Sequence, residues 1–176
     1  MGLFDMFKKK EPAAPAKPEA IEAEVADDVL VAPVSGKVIA MTAVPDGVFA
    51  SEMMGKGCAI WPEGEVVYAP ISGTVSTTMG HAVGITGDNG IEVLVHVGVD
   101  TVEMNGKGFT GHVAANDKVK AGEPILGIDR KAIADAGHPD CVVVIVTNTD
   151  DYASVEMAVE AESTVEAGKG VVKVTR

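Results

Sequence analysis

Residues 81–100 read HAVGITGDNGIEVLVHVGVD, two apolar, β-branched runs separated by Gly87-Asp88-Asn89-Gly90. A Gly/Asn/Asp cluster between two such runs predicts an antiparallel hairpin, because these residue types tolerate the backbone angles of a tight turn. A loop centred between Asp88 and Asn89 sets His81 directly opposite His96, on one face and with Cβ atoms about 5 Å apart. Along the second strand Leu94, His96 and Gly98 share a face, while Val93, Val95 and Val97 point the other way. With the valines in a core, the histidine pair occupies the outer face.

The rest of the chain has the same character. Aromatic residues make up 4% of the 176 residues, and Val, Ile, Ala and Gly dominate between frequent turn signals. That mixture predicts an all-β fold, an antiparallel β-sandwich or barrel-sandwich with at most short helices. APVSGKV at Ala32 to Val38 recurs as APISGTV at Ala69 to Val75, 37 residues later. VAANDKVKAGEPILGI from Val113 and VEAGKGVVKV from Val165 share a turn-rich look. Two copies predict a duplicated hybrid motif with pseudo-symmetry, since a solenoid needs more repeats. CVVVIVTN from Cys141 is apolar on both faces and predicts a central strand. DRKAIADAG, Asp129 to Gly137, predicts a short helix stopped by glycine.

Three regions follow from composition. In residues 1–10, MGLFDMFKKK, the side chains Leu3, Phe4, Met6 and Phe7 fall at helical spacing ahead of three lysines. This predicts an amphipathic tip with weak, reversible contact to an anionic membrane surface. Residues 11–28 are rich in Pro, Ala and Glu and predict a solvated, flexible linker. The folded domain is expected over 29–176.

The net charge of −12 argues against nucleic acid and for basic partners. Cys58 and Cys141 belong to no metal or redox motif and read as reduced, buried thiols. The chain shows neither a signal peptide nor a bilayer-spanning apolar run, which predicts a cytoplasmic protein. His112 and His138, in turn-like contexts, are expected to be solvated.

Two facing histidines suit three chemistries. Metal binding needs three or four ligands, and a peptidase of related architecture would need a His-x-His that the chain lacks. A proton relay would need a nucleophilic Ser or Cys motif. A phosphoryl carrier needs only a neutral imidazole nitrogen and groups that stabilise phosphoryl charge, and no nucleotide loop. The carrier reading fits best.

VPDGVF (Val44 to Phe49), APISGTV, GHAVGI and VLVHVGVDTVEMNGKGF (Val93 to Phe109) resemble the glucose-type IIA family of the bacterial phosphoenolpyruvate-dependent sugar phosphotransferase system. The resemblance implies that His96 is phosphorylated by the phosphocarrier protein HPr. His81 stabilises the phosphoryl group in transfer, and a cysteine of the IIB domain of a sugar permease receives it. It implies that Asp46 and Asp100 form an acidic rim, with Phe49, Leu94 and Val97 in an apolar docking patch. Many members carry a threonine two residues before the second histidine, where Met79 stands here, so Thr77 or Thr78 is expected to supply the orienting hydroxyl. The other ring nitrogen of His96 is expected to donate to a backbone carbonyl, leaving Nε2 to accept the phosphoryl group. No cofactor is required, although the resemblance also implies that a zinc ion shared with a partner could join His81 and His96. A rival reading is a regulatory binding module without relay activity, acting on permeases, glycerol kinase or adenylate cyclase.

Overall fold

A computed structural model describes residues 17–176; the tip expected at 1–10 and the first part of the linker lie outside the described residues. Among the described residues fourteen strands and two short α-helices follow one another. The first half holds β1 (Val29–Val31), β2 (Gly36–Ala40), helix α1 (Gly47–Ala50), β3 (Lys56–Pro62), β4 (Val66–Tyr68), β5 (Gly73–Met79), β6 (Ala82–Gly87) and β7 (Glu92–Val97). The second half holds β8 (Phe109–Gly111), β9 (Lys118–Val119), β10 (Pro124–Ile128), helix α2 (Arg130–Asp135), β11 (Val142–Val146), β12 (Ser154–Met157), β13 (Thr164–Val165) and β14 (Gly170–Thr175). All strand pairs are antiparallel. An eight-stranded sheet runs β13-β2-β3-β11-β7-β6-β5-β9, and two three-stranded sheets run β1-β14-β12 and β4-β10-β8. Among the described residues no helix is long and apolar enough to cross a membrane.

The repeat read from the sequence is a structural duplication. The Val31 N–H donates to the Pro70 carbonyl, and the Tyr68 N–H donates to the Pro33 carbonyl, so the copies bond reciprocally. Each copy also clasps a later turn in the same way. The Gly168 N–H donates to Ala32 O and the Ala32 N–H to Lys169 O; in the second copy Gly122 donates to Ala69 O and Ala69 to Glu123 O. Ser35 Oγ accepts from the Ala167 N–H and Ser72 Oγ from the Ala121 N–H. Gly168 and Gly122 hold φ values of 90° and 91°, a left-handed turn that explains glycine at the same place in both.

The described part of the linker follows these twin turns. It is mostly exposed, yet the Ile21 N–H donates to Gly122 O and the Glu24 N–H to Gly168 O. Glu24 also pairs with Lys169 at 2.8 Å, and Asp28 with Arg176 at 2.9 Å.

Burial divides the apolar residues into two clusters, one on each face of the large sheet. Val93, Val95 and Val97 join Val142, Val144, Ile60 and Leu126 in the main core between the sheets. Ile39, Leu94, Val143, Ile145, Ala59 and Ala82 point to the opposite face, where Met41, Val44, Phe49 and Val99 join them. The expected central strand is β11, fully buried between β3 and β7. The expected helix is α2, where Asp129 caps the N-terminus by accepting from the Ala132 N–H and Gly137 follows the end with a φ of 82°.

The register of the opening hairpin differs from the expected one. β6 pairs with β7 so that Ala82, not His81, stands opposite His96. The Gly87 N–H donates to Ile91 O and the Gly90 N–H to Gly87 O, which centres the loop on Asn89.

Candidate functional site

His96 occupies β7 with Ala82 of β6 on one side and Val143 of β11 on the other. Alternation along β7 puts its ring on the face of the second cluster. The small Ala82 side chain leaves space beside the imidazole, and His81 fills it from outside the ladder. His81 and Gly80 form the two-residue connection between Met79 of β5 and Ala82 of β6. A residue in that turn is not bound by strand alternation, so the slip in register leaves the histidines together. Their ring centroids are 4.7 Å apart at 79°.

Two further rings complete the group. Phe49 of α1 meets His96 edge-on at 4.9 Å, and Phe109 of β8 stands 6.4 Å from His81. Asp46 positions Phe49 as the N-cap of α1, its Oδ1 accepting from Val48 N–H at 2.8 Å and Phe49 N–H at 3.3 Å. One carboxylate thus caps the helix and also acts electrostatically on His96. Asp100 is exposed in the left-handed conformation, with φ 58°, at the turn after β7.

The two nitrogens of His96 have different surroundings. Nδ1 is buried without a hydrogen-bond partner of ordinary geometry, the one such side-chain atom among the described residues. Gly98 lies close enough for its backbone to favour the protonated ring without making a full bond, so the donation expected of Nδ1 is incomplete. With Nδ1 sealed in, Nε2 is the nitrogen left to react. Burial, with a smaller contribution from His81, pushes the His96 pKa down to about 4, against the opposing pull of Gly98 and Asp46. Burial also lowers the pKa of His81, whose residue is 7% exposed. Both rings are therefore neutral at pH 7, one offering a nucleophilic lone pair and the other an N–H to an anion beside it.

The remaining expected residues fall in different places. Leu94 shares the His96 face and lines a groove of about 400 Å³ with Met79, Gly84 and Thr147. Phe49 is buried, so the exposed apolar side chains are other residues. Val48, Met79 and Val102 are 50%, 46% and 61% exposed, and each is next or nearly next in sequence to Phe49, His81 or Asp100. Val97 does not belong to this patch: it is fully buried in the main core, because its odd position on β7 points away from His96. Neither Thr77 nor Thr78 bonds the His81 ring; both sit exposed on β5, opposite Gly84 and Val83. His112 and His138 are half-buried, and His138 Nε2 lies 3.9 Å from Glu103. Among the described residues no group of three or more His, Cys, Asp or Glu could hold a metal, so the pair alone is an incomplete zinc site. Cys141 is near the pair, but burial pushes its thiol up to about 12, and Cys58 likewise, so neither is a nucleophile.

Sequence reasoning missed Thr101. It is fully buried, and its Oγ1 donates to the Val97 carbonyl at 2.5 Å. Its place three residues after Gly98, within the turn that follows β7, was the available signal.

Residues 28–152 match the family described as phosphoenolpyruvate-dependent sugar phosphotransferase system, EIIA 1. The chain is 44% identical over 128 residues to the PTS system beta-glucoside-specific EIIBCA component of Bacillus subtilis, covering 72% of this chain and 21% of that one. It is 38% identical over 151 residues to the PTS system glucose-specific EIIA component of Bacillus cereus, covering 85% of this chain and 91% of the relative. The chain thus spans about a fifth of some curated relatives and nearly the whole of others. Among solved structures, glucose permease IIA from Mycoplasma capricolum is similar with a TM-score of 0.74 and 32% identity, covering 82% of this chain and 93% of that one.

Proposed function

The chain belongs to the EIIA 1 family of the phosphoenolpyruvate-dependent sugar phosphotransferase system, and from that premise we propose that it relays a phosphoryl group through His96, from phospho-HPr to a cysteine of the IIB domain of a sugar permease. The observation that carries this reading is the asymmetry of the His96 ring, whose Nδ1 is sealed in while the ring packs against that of His81. In the first step the Nε2 lone pair attacks phosphorus while the bond from phosphorus to the donor nitrogen breaks, and the donor takes back its electron pair. In the second step the IIB thiolate attacks phosphorus, the N–P bond breaks and Nε2 regains its lone pair. An N–H of His81 stabilises the charge on the phosphoryl oxygens as it passes. Because donor and acceptor are both imidazoles in the first step, the protein's contribution is positioning and electrostatics.

Asp46 and Asp100 give the rim negative charge, and the exposed Val48, Met79 and Val102 supply apolar contact. A basic partner is drawn by the first and held briefly by the second, as a relay that must release both partners requires. Both steps take place in the cytoplasm. The relatives are named for β-glucoside, mannose and glucose systems, which supports a carrier whose permease chooses the sugar. A shared zinc ion would take His81 and His96 from this chain and its remaining ligands from a partner.

Two substitutions test the relay. His96→Gln abolishes acceptance from phospho-HPr, whereas His81→Gln still accepts but stalls in onward transfer to IIB. Acceptance that survives His96→Gln would overturn the assignment.

A further inference from the structure

The Gly98 backbone, which lies beside the His96 ring, is clamped from several directions. The Gly98 N–H donates to the Cys141 carbonyl at 2.7 Å, and the next N–H, that of Val99, donates to Pro139 O at 3.1 Å. The Val97 carbonyl, on the same peptide unit as the Gly98 N–H, accepts from Thr101 Oγ1. Gly98 has a φ of 78°, and a Cβ there would lie 2.4 Å from Thr101 Cγ2 and 2.7 Å from Pro139 O. The turn can therefore pass only if residue 98 is glycine, and Thr101 fills the space a side chain would need. Among the described residues Thr101 and His81 are the two buried polar or charged residues. Thr101 nevertheless touches no reacting atom.

We propose that Thr101 is a positioning residue for transfer at His96: its hydroxyl, by holding the Val97 carbonyl, fixes the Gly98 backbone against Nδ1 and so keeps the proton on that nitrogen and Nε2 free to react. This rests on the reading of His96 as the phosphoryl acceptor. An imidazole beside a fixed carbonyl stays in the tautomer that points its N–H there, and the orientation of the second nitrogen follows from the first. If the turn relaxes, Nε2 carries the proton part of the time and is then no nucleophile. The methyl of Thr101 packs on Gly98, so a purely structural role would reside in the methyl, and the proposed role resides in the hydroxyl.

The test compares Thr101→Val, which keeps the shape and loses the hydroxyl, with Thr101→Ser, which keeps the hydroxyl and loses the methyl. Long-range ¹H–¹⁵N spectra of the unphosphorylated full chain at pH 7 read the His96 tautomer directly, and phosphorylation by phospho-HPr gives kcat and KM. The unmodified protein and Thr101→Ser should show the Nδ1–H form alone, with Thr101→Ser within about twofold in kcat. Thr101→Val should show both tautomers and lose on the order of tenfold in kcat with KM for HPr unchanged, since Thr101 is out of reach of any partner. A single Nδ1–H form with an undiminished kcat in Thr101→Val overturns the proposal. So does a loss in Thr101→Ser, a result that holds even where Thr101→Val fails to fold. A tautomer shift in Thr101→Val in a protein that accepts no phosphoryl group would support the positioning role and overturn the relay reading instead.

Discussion

Acid should destabilise this protein through one ring more than any other histidine. Burial holds the His96 pKa at about 4, against 6.5 for an unperturbed histidine. Folding lowers the pKa, so below 6.5 the unfolded chain takes up the proton that the folded chain refuses. The stability associated with the neutral ring is intact above pH 6.5 and is lost progressively as the pH falls toward 4. The two pKa values give a loss of about 2 kcal/mol at pH 5, rising toward roughly 3 kcal/mol below pH 4, as upper values for a ring that keeps some solvent contact. His96→Gln removes the titration while leaving a polar side chain of similar reach. Comparing urea denaturation of both proteins at pH 7 and pH 5 reads the His96 contribution. Between the two pH values the unmodified protein should lose about 2 kcal/mol more than His96→Gln. Equal losses would refute the burial argument, and with it the claim that His96 is held neutral. The same neutrality predicts that the rate of phosphoryl acceptance, corrected for the donor's own titration, stays flat from pH 8 to about pH 5.

Further outcomes follow from the geometry at Asp46, the two cysteines and Gly57. Asp46→Ala should lose about 1 kcal/mol of thermal or urea stability because it removes the cap of α1. Asp46→Asn keeps an accepting oxygen and should retain stability while slowing HPr association at low salt, which stopped-flow measurement across ionic strength would detect. Cys58 and Cys141 should resist a thiol reagent in the native protein and react on unfolding in urea, as their raised pKa values require. Gly57→Ala should abolish folding, read by circular dichroism, because a Cβ there would sit 1.9 Å from the Val144 carbonyl where β3 pairs with β11.

The sequence carried the duplication because the two copies share the same backbone task. Ala32 and Ala69, Ser35 and Ser72, Gly168 and Gly122 repeat as residues because their hydrogen bonds repeat. The hairpin was legible in kind and off in register by one residue, since a Gly-Asp-Asn-Gly signal does not say whether Ile91 joins the loop. The histidine contact survived the slip because His81 lies in a turn. The second apolar cluster escaped notice because Leu94, Val143 and Ile145 alternate with valines that also face a core, so no polar face marked the outer side. Val97 could have been excluded from the docking patch on parity alone. Asp46 was read as a rim charge from its motif, and its second role in capping α1 became visible only with the Val48 and Phe49 amides in place.

The most direct test of the relay is to incubate the full chain with phosphoenolpyruvate, enzyme I and HPr, then measure intact mass and map the phosphosite under alkaline conditions that preserve phosphohistidine. The account predicts one added phosphoryl group, on Nε2 of His96. An unmodified chain beside fully charged HPr, or a phosphoryl group on His81 or elsewhere, would contradict it.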